Sequence, residues 1–149
     1  MEDYVELWDK YATAFCEKLE FTMKGDWEKL DEDEQEIAAL WKFVVDMYNG
    51  GFLQFFCNWG YTGYWYAMRG IQRIGDRGLL EQLHRTYMEV FDKFREDNRL
   101  KAYWDIPEYL TEEDDQILDE TDERFYDGEG ARFAEMAYRF YAQTLHKTV

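Results

Sequence analysis

The chain has 149 residues, 46% of them apolar and 19% aromatic, and carries a net charge of −16. That length suits one domain, 1–149, which buries roughly 70% of the surface its unfolded chain exposes and needs no disulfide or metal staple. So much apolar surface excludes disorder, and so negative a chain repels nucleic acid instead of binding it.

Pro107 is the single proline and the glycines cluster, which favours helices joined by short turns. Tyr4, Leu7, Trp8, Tyr11, Phe15 and Leu19 recur in steps of three and four, predicting an amphipathic helix that fades before Gly25. Asp31 or Asp33 caps a second helix, with Ile37, Leu40, Trp41, Val44, Val45 and Tyr48 on its apolar stripe. Asn49-Gly50-Gly51 ends it, because glycine enters the left-handed region cheaply just past a helix. Phe52, Phe55, Phe56 and Trp59 fit a short, central third helix, and Thr62 caps a fourth running to about Arg73. Asp76 caps the longest helix, with Leu79, Leu83, Tyr87, Val90 and Phe94 inward. Leu100 to Leu110 reads as a loop with apolar anchors. Thr111-Glu112-Glu113-Asp114 resembles a capping box and starts a helix carrying Ile117, Leu118, Phe125 and Tyr126. Gly128 and Gly130 end it, and a last helix holds Phe133, Met136, Ala137, Phe140 and Tyr141. The expected architecture is all-α, one compact domain of six to seven helices with glycine-terminated turns.

The charge is unevenly placed. Asp26 to Glu36 carries −6, Ala102 to Glu123 carries −10 with no base, and the remaining chain is neutral. Acidic residues at a helix start are favoured by the macrodipole, which accounts for Asp31, Glu32, Asp33 and Glu34 and for Glu112 to Asp115. It does not account for Asp119, Asp122 and Glu123, which lie a turn or more further in. Asp115, Asp119 and Glu123 stand four apart with no base between them, and like charges so spaced cost about 0.2–0.5 kcal/mol per pair. The expected partner-binding face is therefore Asp31, Glu32, Asp33, Glu34, Glu36, Glu112, Glu113, Asp115, Asp119, Asp122 and Glu123. A basic surface on another protein is its natural partner.

Enzyme chemistry is not expected. His84 and His146 stand in no motif, His84 reading as a surface residue and His146 as part of a fraying tail. No H-E-x-x-H, G-x-S-x-G, P-loop or calcium loop occurs, so neither metal nor cofactor is expected. Cys16 and Cys57 sit in apolar runs and read as free, buried thiols. The acidic start has no apolar core of a signal peptide and no run is apolar enough to span a membrane, so cytoplasm is the expected compartment.

Tyr48-Asn49-Gly50-Gly51-Phe52-Leu53-Gln54-Phe55-Phe56-Cys57-Asn58 resembles the signature of a small bacterial all-helical domain family, of unknown function as a whole, that includes a DNA-mimic protein. Ala67 to Gly75, and Leu118-Asp119 with Asp122, Phe125 and Tyr126, look similar to its later landmarks. The resemblance implies an all-helical fold, and a DNA-mimic role in which surface carboxylates occupy the DNA-binding surface of a transcription factor. Mimicry has no linear motif, so the signature residues Tyr48, Gly50, Gly51, Phe52, Gln54 and Asn58 are expected to be structural. Gln54 and Asn58 should bond neighbouring backbone. Two other functions fit the sequence: an immunity-type inhibitor of a basic nuclease toxin, and a ligand-binding domain or enzyme on the aromatic cluster 52–65 with Gln54, Asn58 and Arg69. The oligomeric state is open, a homodimer included.

Overall fold

Asp3 opens the first helix by accepting the Glu6 amide at 3.1 Å. In the computed structural model, which describes residues 2–149, this helix is α1 (Tyr4–Glu17), prolonged by a wider turn over Lys18–Thr22. Five further α-helices follow among the described residues: α2 (Glu32–Asn49), α3 (Gly51–Ile74), α4 (Arg77–Thr86), α5 (Glu112–Arg124) and α6 (Gly130–Tyr138). The all-α expectation holds, and among the described residues no helix is long and apolar enough to cross a membrane.

Asp31, not Asp33, caps α2, and the cap is reciprocal. Its carboxylate accepts the Glu34 amide at 2.9 Å while the Glu34 carboxylate accepts the Asp31 amide at 3.1 Å. Gly51, with φ +85°, turns the chain sharply into α3. The two helices then run antiparallel, since Asp46 meets Gln54 and Trp59 near the turn and Glu36 meets Arg69 and Arg73 at the far end.

The expected division into a third and a fourth helix holds. Within α3 two helical segments meet at a non-helical kink at Gly60 (φ 65°, ψ −155°), two residues before Thr62. A Cβ at Gly60 would lie 2.2 Å from the Tyr103 ring, so the kink and the covering aromatic require each other. The element after Asp76 is not the longest: α4 has ten residues before it widens over Tyr87–Phe91, against 18 in α2. Tyr103–Tyr109, expected as a loop, winds into a 3₁₀ helix with Ile106 buried. α5 starts on the Thr111–Asp114 reciprocal cap that the sequence suggests.

α4 lies antiparallel to α5, with Gln82 bonded to Thr121 and Lys93 to Asp114. α6 lies antiparallel to α2: a Cβ on Gly130 would meet the Tyr48 hydroxyl, and Tyr141 reaches Glu36. The core between these pairs is aromatic. Phe43 packs edge-on against Phe55 at 5.4 Å and Phe125 at 5.5 Å, and Phe56 stacks on Phe91 at 4.2 Å.

Candidate functional site: an acidic helix face

On α5 the buried residues Asp114, Leu118 and Thr121 define the inward side. Glu112, Glu113, Asp115, Asp119, Glu120 and Glu123 are all exposed. At 3.6 residues per turn these six fall within an arc of roughly 160° opposite that side. None of them has an ion-pair partner within 4.0 Å among the described residues. The nearby bases are engaged elsewhere. Lys93 holds the buried Asp114 at 2.6 Å, while Arg124 reaches Glu129 at 3.1 Å and the Gln82 amide oxygen at 2.8 Å.

Asp122 is a correction to the expected face. It sits at the edge of the arc, half-buried, and its Oδ1 accepts the Phe52 amide at 2.9 Å. A Cβ on Gly51 would lie 2.0 Å from the Asp122 carboxylate, so the glycine leaves room for the carboxylate over the first turn of α3. Burial, with Asp119 close by, pushes the Asp122 carboxyl up to about 6. Gly51, Phe52 and Asp122 thus form one device that pins α5 to the start of α3.

The start of α2 departs further. Glu36 is fully buried, where it accepts from Arg69 at 2.6 Å, Arg73 at 2.6 Å and the Tyr141 hydroxyl at 2.7 Å. Glu34 is buried in its cap and pairs with Lys18. Both therefore leave the exposed face on which the charge run placed them, because they lie on the side of α2 that packs against α3 and α1. Asp33 pairs with Arg73 at 2.7 Å and Asp31 with Lys147 at 2.6 Å, which leaves Glu32 exposed and without an ion-pair partner among the described residues. That last contact, with Tyr11 donating to the Lys147 carbonyl at 2.7 Å, ties down the tail expected to fray around His146. Asp122 sits at the α2–α3 turn and Asp31 at the opposite end of α2, roughly 27 Å away along the helix.

Gln54 and Asn58 are structural, though through a carboxylate and not through backbone. Asp46, almost fully buried, accepts from Gln54 at 2.9 Å, Asn58 at 3.2 Å and the Trp59 indole at 2.9 Å. The Asn58 oxygen accepts the Trp104 indole at 2.9 Å, joining this network to the 3₁₀ helix. Tyr48 packs on Phe125 at 5.2 Å and stacks on the exposed Tyr126 at 6.0 Å.

The aromatic cluster 52–65 divides. Phe52, Phe55 and Phe56 are core, whereas Tyr61, Tyr64 and Trp65 line an open groove of about 860 Å³ with Arg69, His84 and Arg95. Gln54 and Asn58 take no part in it. Cys16 and Cys57 are free and buried, with both thiols pushed up by burial, Cys57 to about 12. No group of three or more metal-ligating side chains occurs among the described residues.

Sequence reasoning overlooked Glu120 and Asp127, which line a shallow depression with Glu123, Arg124 and Tyr126 at the end of α5. Their spacing with Glu123, three and then four residues, was a legible signal of a shared stripe.

No curated protein and no solved structure matches the chain. A family model described as DMP19-like protein matches residues 28–144, which takes in the α2–α3 turn with its signature, the Asp46 network and the whole acidic face of α5. The chain belongs to the DMP19-like protein family, an all-helical family that includes a DNA mimic.

Proposed function

We propose that the chain is an acidic protein-binding module of the DNA-mimic type, an inhibitor that occupies the basic DNA-binding surface of another protein. The observation that carries the reading is the α5 face: six exposed carboxylates with no ion-pair partner among the described residues, on a helix whose other two carboxylates hold Lys93 and the Phe52 amide. Glu112 to Glu123 spans roughly 17 Å of helix axis. A duplex places about ten phosphate charges in that length, so one helix supplies over half of the charge that a DNA-binding groove expects. Family membership is consistent with this role. The reading leaves catalysis out, and the buried, high-pKa thiols suit it because neither is poised as a nucleophile.

The test is affinity capture on the immobilised chain at low and moderate salt, with duplex DNA as competitor. A basic DNA-binding protein retained at low salt and released by salt and by duplex supports the reading. Retention indifferent to both, or to changing Asp115, Asp119 and Glu123 to lysine, refutes it.

A further inference from the structure

The groove between α1 and α2 has an apolar floor and an acidic rim. Val44, Val45 and Tyr48 form the floor, Asp3, Glu6 and Asp9 the rim, and the volume is about 610 Å³. Val45 is 37% and Tyr48 41% exposed, unusual for the apolar stripe of a core helix. Trp8, 1% exposed, also lines this groove, and its indole N–H has no acceptor among the described residues. A buried donor left unpaired costs free energy unless a bound group supplies the acceptor.

The groove reaches the end of the α5 face through one aromatic contact. Tyr48 on its floor stacks on Tyr126, and Tyr126 lines the depression with Glu120, Glu123 and Asp127. Acidic groups therefore flank an aromatic and aliphatic strip on both sides. The α1 rim is partly engaged, Glu6 with Lys10 at 3.0 Å, Asp9 with the Trp41 indole at 2.8 Å and Asp3 with the Glu6 amide at 3.1 Å. The free charge beside the strip therefore comes mainly from α5, where Arg124 turns to Glu129 at 3.1 Å.

We propose that this strip, Val45–Tyr48–Tyr126 between the α1 and α5 carboxylates, is a docking groove for a basic amphipathic helix of a partner protein. The charge complementarity selects lysine and arginine along the helix flanks, and the apolar floor takes its aliphatic face. A phosphate-like face alone would hold any polycation. The strip adds a preference for a helix with an apolar stripe, and so a means of telling one basic protein from another. The proposal rests on the acidic-face reading and goes beyond it in requiring apolar contact.

Two fluorescein-labelled peptides of equal length and charge test it by anisotropy: a leucine/lysine amphipathic helix, and a lysine/serine peptide with no apolar face. The native chain should bind the amphipathic peptide at least tenfold more tightly. Val45→Lys, at an exposed position that folding tolerates, and Tyr126→Ala should each bring that ratio towards one while leaving lysine/serine binding within about threefold. Equal affinity for the two peptides, with both lost on changing Asp115, Asp119 and Glu123 to lysine, overturns the groove but leaves the acidic-face reading standing. Binding of neither peptide overturns both. A preference for the amphipathic peptide that survives Val45→Lys and Tyr126→Ala places its site elsewhere and also overturns the groove.

Discussion

Asp122 joins the acidic helix to the α2–α3 turn, and its protonation should be readable in stability. The carboxyl accepts the Phe52 amide at 2.9 Å, yet burial pushes it from 3.8 up to about 6. A carboxyl whose folded-state pKa is raised binds its proton more tightly in the folded chain. Its contribution is therefore greatest below the unfolded value and is lost as pH rises from about 4 through about 6. The full rise corresponds to at most about 3 kcal/mol, and partial exposure reduces that to about 1–2 kcal/mol. Asp122→Asn keeps an oxygen for the Phe52 amide and removes the titration. Urea unfolding of both proteins from pH 4 to pH 7.5 should show the variant about 1 kcal/mol more stable at pH 7.5, with the difference vanishing near pH 4. Parallel stability curves would refute the argument. They would mean that the positive end of α3 holds the carboxylate ionised despite its burial.

Three other expectations follow from the same network of pairs. Glu36→Gln, which keeps volume and removes the buried charge, should cost about 3 kcal/mol in urea unfolding. That is the low end for a broken buried pair, because Asp33 and Gln35 still hold Arg73 and Arg69. Asp46→Ala removes the shared acceptor of Gln54, Asn58 and Trp59, and should cost about 2 kcal/mol, with a shift in tryptophan emission from Trp59. Changing Asp115, Asp119 and Glu123 to lysine should leave thermal stability unchanged or raise it by up to about 1 kcal/mol at low salt, since two like-charged i, i+4 pairs are replaced amid acidic neighbours. A loss of several kcal/mol there would make these carboxylates structural.

The helices were largely legible because their signals are local. The Asp31, Asp76 and Thr111 caps, the Gly51 turn and the three-four periodicity each act within a few residues. What the sequence hid depends on contacts between distant segments. Gly60 reads as one more glycine in an apolar run until Tyr103, 43 residues on, is seen to cover it. Glu34 and Glu36 look like their exposed neighbours because a charge run carries no mark of which side packs inward. Only Lys18, Arg69, Arg73 and Tyr141, from three other elements, identify them as buried. Asp122 was misplaced for the same reason: its acceptor role belongs to the Phe52 amide, 70 residues away.

That sorting of carboxylates is the strongest physical argument for a functional face. At the start of α2 four bases from distant elements, Lys18, Arg69, Arg73 and Lys147, converge on Asp31, Asp33, Glu34 and Glu36, so the −6 segment is mostly neutralised from within. Along α5 the neighbouring bases turn instead to Asp114 and Glu129. Folding thus leaves a dense, unpaired share of the excess charge on one helix, where carboxylates about 6 Å apart repel at less than a Debye length, about 8 Å at physiological salt. Solubility needs only a modest excess of one sign, with bases interspersed. On the proposed function, a face held unpaired against its own repulsion would gain its compensating charge from a basic surface, and the repulsion relieved on docking would add to the affinity.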